Sequence, residues 1–540
     1  MKTNSTLWNE IKYYNIPEFT ILGLILYIIR DLVVTLVCMS SDISYLSPLY
    51  NLYEFTVYFV LFGIWFILTF VTIRQKLYFR KTGRNFIKDN HKYKRTFTEL
   101  VDYFRDAEPH RLDTSSFAEK NWRKATGIIL GRDGKKLIQI PTNCESNISI
   151  MGPPGSGKTT GFAISNAVKF RGSVLAIDIK GDIYNYTKKH RKILRFCPDH
   201  PDALTVSYHF NPLAHINEMN CTERKLYIES MGTVLIPDQN GSSDSNYFSS
   251  RARKYFQGIT HMMLHDNPDT TFPDIVHAIL KGNYADWVFK ARETECIEAA
   301  ELLLSFEGNS EKNVSSAYDA LCTAMTSYSN PVLDTLLKGD KRCISMECLE
   351  KGYDVYLQIS QEHLNVYAPL FTLIVQSFST AFSKRKDSST GIKNRPILML
   401  LDEFPQMTFS YELINKNLST LRSKSVIIAM LQQNRSQLEY KYTPIGTSSI
   451  LGNCNYQLIL GSNDPSSSEQ YSKMFGLKKV LKIGNNVTHA EKASSGKNIQ
   501  EAREPVFYPE DFGDLDATNE MILYAKGKYC RCQKINVIKD

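Results

Sequence analysis

The sequence lacks the features that mark metal modules and repeat architectures. It has no internal repeat and no low-complexity tract, so nothing in it points to a solenoid or to a repetitive linker. Its 11 cysteines are scattered; the nearest pairs, Cys343/Cys348 and Cys530/Cys532, have no partners at zinc-site spacing. They read as reduced cytosolic thiols. Charge excess is also missing from most of the chain. The formal net charge is +8, yet Arg74, Lys76, Arg80, Lys81, Arg84, Lys88, Lys92, Lys94 and Arg95, set against the single acid Asp89, account for all of it. The remainder is neutral, so net charge gives no argument for a nucleic-acid-binding body.

What is present is a globular composition, 43% hydrophobic and 22% charged, over 540 residues, enough for two or three domains. Near the start, Phe55 to Ile73 is an apolar run of 19 residues without a charge, long enough to span a bilayer core as a helix. The basic cluster follows at once, and Lys and Arg beside a span mark the cytoplasmic side. Phe19 to Met39 is a weaker span, because Arg30 and Asp31 lie in its middle and a mid-helix charge costs about 2.5–3.5 kcal/mol on insertion scales. That charge pair suits a helix facing a neighbour in an oligomer. Ser40 to Glu54 contains no Lys or Arg, as an external loop should. The expectation is a two-helix hairpin, residues 19–73, at the cell membrane, with residues 1–18, the basic linker 74–114 and everything beyond it cytoplasmic.

Gly152-Pro153-Pro154-Gly155-Ser156-Gly157-Lys158-Thr159 fits the P-loop pattern, with Thr160 next in line. Glycines let the backbone wrap phosphates with its N–H groups inward. Lys158 puts charge on the β- and γ-phosphates of ATP, and the Thr159 hydroxyl faces Mg²⁺. The flanks agree: Ile148, Ile150 and Met151 form a short strand, and Lys158 to Phe170 reads as a helix whose N-terminus meets the phosphates. The run Pro396 to Leu401, six apolar or proline positions, then delivers Asp402 and Glu403. A strand buried on both faces has this pattern, and its C-terminal end opens on the ligand crevice. Asp402 would join the Mg²⁺ shell and Glu403 would polarise the attacking water, a pair that argues for hydrolysis. Val426 to Leu431 is another such strand, ending in Gln432-Gln433, where Gln433 could sense the γ-phosphate through a water.

Ser173–Asp178, Val355–Ile359, Gln457–Leu460 and Met521–Tyr524 are further strand candidates, several separated by helical patterns. The expected fold is α/β, a RecA-like P-loop NTPase with a mainly parallel sheet.

Several motifs in order carry a closer likeness. Ser115 to Trp122, Asp178-Ile-Lys180-Gly181-Asp182, Phe210-Asn211-Pro212-Leu213, Leu431 to Leu438, Asn453-Cys454 and Pro509-Glu510-Asp511 accompany the P-loop and the acid pair. Together they resemble the type IV coupling proteins, the TraG/TraD class of conjugative ATPases, over nearly the whole chain. Asp182 stands where that class usually has Glu, and Asn434 where Ser is common. The resemblance implies a nucleotide-binding domain in two parts, 115–214 and 346–540, with a helical insertion, 215–345, that meets substrate. It implies a homo-oligomer, hexameric in form, that moves relaxase-bound single-stranded DNA into a type IV secretion channel. It also implies that Arg422 reaches the nucleotide of the neighbouring subunit. The chain ends at Asp540 without the acidic tail that some members use, so recognition is expected to fall on the insertion. The alternatives are, within the same P-loop class, another secretion or chromosome-segregation ATPase of the superfamily, and, from other classes, a membrane docking adaptor that rarely hydrolyses ATP and a protein-effector receptor that moves no DNA.

Overall fold

The computed structural model describes residues 127–535, apart from interruptions at 135, 143, 239–242, 340–341, 389–393 and 489–493, together with residues 112 and 118–119 and nine positions between 56 and 67. Residues 1–18, the first expected span and, except for Leu112, the basic linker lie outside the described residues. Within the second span the described positions are helical, and Phe59, Val60, Phe62, Phe66 and Ile67 are exposed. The chain divides into two units, His110–Gly476 with Phe507–Asp540, and Met1–Pro109 with Leu477–Val506.

The larger unit is built on one sheet. Its strands are β1 (Ala118–Glu119), β2 (Ile128–Asp133), β3 (Lys136–Ile140), β4 (Ile148–Met151), β5 (Ser173–Asp178), β6 (Ile193–Phe196), β7 (Asp354–Gln358), β8 (Ile397–Leu401), β9 (Val426–Gln432) and β10 (Tyr456–Ile459), followed beyond residue 507 by two more. The smaller unit holds the hairpin β11 (Leu477–Thr488) and β12 (Ser494–Pro505), paired antiparallel from Leu477 opposite Pro505 to Thr488 opposite Ser494. The final strands are β13 (Glu520–Ala525) and β14 (Lys528–Gln533). The sheet order is β1-β3-β2-β14-β13-β10-β4-β9-β8-β5-β7-β6. From β10 to β6 every pairing is parallel; from β13 outward every pairing is antiparallel. The sheet is therefore mixed, with a parallel half where helices cross over and an antiparallel half in which the β2–β3 and β13–β14 pairs are joined by short turns.

Residues alternate faces along the parallel strands, as the pleat requires. Leu175, Leu357, Met399 and Ile428 face one core, which continues without a break into the helices between β6 and β7. Ala176, Tyr356, Leu400 and Ala429 face the other, with Phe162, Ile164 and Ala167 of the helix that follows β4. Both faces are covered, which explains the unbroken apolar runs of β8 and β9. Between β6 and β7 the principal elements are helices, the longest Ser243–Asp266 and Glu311–Thr326. The Asn-Pro-Leu box anchors their start: Leu213 N–H donates to Asn211 Oδ1 at 2.9 Å, and the Tyr227 hydroxyl donates to the Pro212 carbonyl at 2.7 Å. Among the described residues only Leu364–Ser383 is long and apolar enough to cross a membrane. Its Phe371, Leu373 and Ile374 are buried in the shared core, as in a core helix.

Candidate functional site

The site forms where β4, β8 and β9 end side by side. These strands are parallel and adjacent, with Met151 in register with Gln432, and Leu401 with Met430. Their C-terminal ends therefore open on one crevice. From β4 the chain turns at once: Gly152 N–H donates to the Gln432 carbonyl at 3.2 Å, and Ser156 N–H to that of Pro153 at 3.2 Å. Gly155 and Gly157 have φ of 81° and 92°, a left-handed backbone that a side chain would strain. The helix after the loop begins with wide turns: over Lys158–Ala163 it is π-wound, Ile164 N–H donating to the Thr159 carbonyl, and it then runs as an α-helix to Lys169.

Lys158 is buried, and its Nζ donates to the carbonyls of Gly152 at 2.6 Å and Pro153 at 3.1 Å. Burial pulls its pKa below the usual lysine value, opposed by the nearby charges of Glu403 and Asp402. Asp402 is pushed up to about 7, first by burial and then by the adjacent Glu403. Glu403 has φ 46° and ψ 42°, a left-handed conformation uncommon outside glycine. Its carboxylate accepts from Gln433 Nε2, 3.4 Å from both oxygens, and from Gln406 Nε2 at 3.1 Å.

A further carboxylate, Asp178 at the end of β5, is buried and raised above the usual range, chiefly by burial. It accepts from the N–H groups of Ile183 and Tyr184 and from Gln358 Nε2.

Lys158, Asp402, Glu403 and Gln433 are thus brought to one crevice. Gln432 is buried and donates to Ser149 Oγ at 2.7 Å, holding β9 to β4. Arg422 is elsewhere: it lies in the turn Leu421–Lys424 before β9, at the opposite end of the strand. Sequence reasoning missed Gln406 and Gln358. Gln358 carries the signal that drew attention to Gln433, a polar residue closing an apolar strand. Gln406 gave only its place three residues after Glu403.

The donor set suits a polyphosphate with a divalent cation. The Lys158 ammonium hydrogen-bonds to neutral carbonyls, and Ser156 Oγ is buried with no partner, so both can turn to phosphate oxygens. The crowded pair Asp402 and Glu403 would be relieved by a cation, to which the Thr159 hydroxyl would offer a neutral ligand.

The comparisons agree with this geometry. Residues 107–540 match the family described as Type IV secretory system Conjugative DNA transfer. The chain belongs to that family. Protein VirD4 of Agrobacterium fabrum is 23% identical over 462 residues, covering 82% of this chain and 68% of that protein. The VirD4 of Rhizobium rhizogenes is 23% identical, over 72% of this chain and 58% of the relative. Conjugal transfer protein TraG of Escherichia coli is 20% identical, over 75% and 69%. This chain thus spans little more than half to about two thirds of these relatives. The coupling protein TrwB, solved with ADP and Mg²⁺, superposes with a TM-score of 0.57 at 16% identity, covering 79% of this chain and 94% of that one. A TrwB complex with a non-hydrolysable ATP analogue gives 0.56 at 15%, covering 79% and 95%. The fold is accordingly TrwB-like, an α/β P-loop fold with a largely parallel mixed sheet.

Proposed function

We propose that this family member is a membrane-anchored ATPase that couples hydrolysis of ATP, with Mg²⁺, to delivery of relaxase-bound single-stranded DNA into a type IV secretion channel. The observation that carries the reading is the convergence of Lys158, Asp402, Glu403 and Gln433 at the ends of three adjacent parallel strands. Membership in a conjugative DNA transfer family supports the substrate class, and the nucleotides bound by TrwB support the cofactor.

Residues 152–160 cradle the phosphates with backbone N–H groups, and Lys158 adds a charge at the β- and γ-oxygens. Thr159 and Asp402 would hold Mg²⁺, which when bound neutralises charge across those oxygens. Glu403 orients the attacking water and takes up its proton, while Gln433 and Gln406 hold the carboxylate in place. The intact set Lys158, Thr159, Asp402 and Glu403 counts against a docking adaptor that rarely hydrolyses ATP. A hexamer anchored by a two-helix hairpin at residues 19–73 is part of the same reading.

The test is ATP turnover by the full chain in lipid nanodiscs, with and without a single-stranded oligonucleotide. Turnover should require Mg²⁺ and rise with the strand. Absence of turnover under both conditions would remove the ATPase reading.

A further inference from the structure

β6 is the edge strand of the sheet, and the turn before it is basic: Lys188-Lys189-His190-Arg191-Lys192. Arg191 turns inward. Its guanidinium forms an ion pair with Asp354 and donates to the carbonyls of Phe170 at 2.8 Å and Gly172 at 2.6 Å, tying the turn to the starts of β5 and β7. The other four residues of the run are exposed.

Tyrosines are interleaved with these cations. Lys188 Nζ lies 5.4 Å and Arg195 Cζ 4.7 Å from the centre of the Tyr184 ring, and Lys192 Nζ lies 6.0 Å from that of Tyr353. Tyr186, on the same short helix as Tyr184, is 46% exposed. The acids nearby do not cancel the strip. Asp178 is buried and hydrogen-bonded, Asp199 accepts from Ser360 N–H at 2.8 Å and lies 3.4 Å from His363 Nδ1, and Asp182 is one half-buried carboxylate. Tyr184, Lys188 and Arg195 line a cleft of about 560 Å³ at the C-terminal ends of β5, β6 and β7, the end of the sheet that also carries the nucleotide crevice; from there the strip runs along the edge to Lys192 and Tyr353, just before the starts of β6 and β7. Linear sequence hides the pattern, because Tyr353 comes from beyond the whole helical insertion.

We infer that this edge is a docking surface for single-stranded nucleic acid. The inference deepens the proposed function and rests on it. Exposed cations neutralise phosphates, and exposed rings stack on unpaired bases of any sequence. An anionic membrane surface would draw on the same cations, but membership in a conjugative DNA transfer family favours the nucleic acid.

Measure binding of a fluorescent oligothymidylate to the full chain in neutral-lipid nanodiscs across a salt series. Lys188→Ala with Lys192→Ala should weaken binding and reduce the slope of log affinity against log salt by about 1.4, at about 0.7 per lysine. Tyr186→Ala should lower affinity at least about fivefold, and Tyr186→Phe should restore it. Basal ATP turnover should stay at the wild-type rate in all three, which also reports folding. Unchanged affinity and slope in these variants, while the wild type binds, overturn the edge assignment alone. Loss of binding to phosphatidylserine vesicles with oligonucleotide binding retained does the same and assigns the cations to lipid. A wild-type chain that binds no strand at any salt overturns the proposed function with it.

Discussion

Gln433 donates from one amide to both carboxylate oxygens of Glu403, 3.4 Å from each, while Gln406 donates to one of them at 3.1 Å. Two amides from different turns therefore fix one carboxylate, on a residue whose own backbone is left-handed. Such a conformation costs of order 1–3 kcal/mol and persists where its surroundings hold it. Glu403→Gln should keep nucleotide affinity and lower kcat by about 10²-fold or more, since the base is lost and the ligand Asp402 stays. Gln406→Ala should lower kcat roughly tenfold with KM unchanged, because it disturbs the position of the carboxylate and not the phosphate cradle. Combined with Gln433→Ala the effect should be less than additive, both acting on one group. Steady-state kinetics with a separate binding titration distinguishes these. A normal rate in Glu403→Gln would remove Glu403 as the catalytic carboxylate.

Lys441 gives a pH prediction. It lies on the helix after the glutamines, and its Nζ donates to the Pro405 carbonyl at 3.0 Å. Burial pulls its pKa down to about 8. The unfolded chain keeps the ordinary value near 10.5, so between pH 8 and 10.5 the unfolded state holds more protons and stability rises with pH. Below pH 8 the half-buried ammonium is a standing penalty, on the order of 1–3 kcal/mol after discounting for its partial exposure. Lys441→Met, which keeps the volume of the stem, should stabilise the chain at pH 7 and flatten the rise in stability between pH 8 and 10. Chemical denaturation at several pH values measures both; a variant with the wild-type pH profile would refute the assignment.

The legible parts of the fold were those under the strongest constraint. β5, β8 and β9 are buried on both faces, so their sequences are apolar runs that end abruptly in polar residues. The P-loop is legible because few other sequences can fold that way around phosphates. The antiparallel half was less legible. β2 and β3 do carry a hairpin signal, Asp133-Gly134, with Gly134 at φ 59°, but their alternation is short and interrupted by a bulge. The long β11–β12 hairpin has little apolar patterning in its sequence, as in Lys478-Lys479 and Asn485-Asn486, so periodicity gives no strand signal there. Gln406 and Tyr353 acquire their meaning only from tertiary neighbours, which single-sequence patterns do not encode.

Membrane topology can be tested independently of the site. Single cysteines or tags in residues 40–54 should be reachable from outside the cell, and those at Lys2 and Arg84 only from inside. The charge asymmetry drives this expectation, because the nine basic side chains between 74 and 95 should stay on the cytoplasmic side. Outside accessibility at Arg84 would place the nucleotide site on the wrong side of the membrane and so contradict the proposed function.

Arg422 offers the sharpest test of assembly. β4 and β9 are parallel, and the P-loop leaves the end of β4 that lies beside Gln432. Arg422 precedes the other end of β9, so a strand of seven residues, roughly 20 Å, separates it from its own crevice. No arginine side chain covers that distance, and a role at the nucleotide requires a neighbouring subunit. The chemistry suits such a role. A γ-phosphate in transit spreads charge over its oxygens, and a guanidinium entering from next door neutralises it only when subunits close, an effect of about 10³–10⁵ in rate in other NTPases. Hydrolysis is then tied to ring formation, as a motor needs. Arg422→Ala subunits should be inactive alone, and so should Lys158→Ala subunits. Mixed rings should regain part of the activity, because some interfaces pair an intact crevice with an intact arginine. Turnover measured over a range of mixing ratios, with subunit exchange verified by crosslinking, gives the answer. Full activity of Arg422→Ala alone, or no recovery in rings shown to be mixed, would exclude Arg422 from the site.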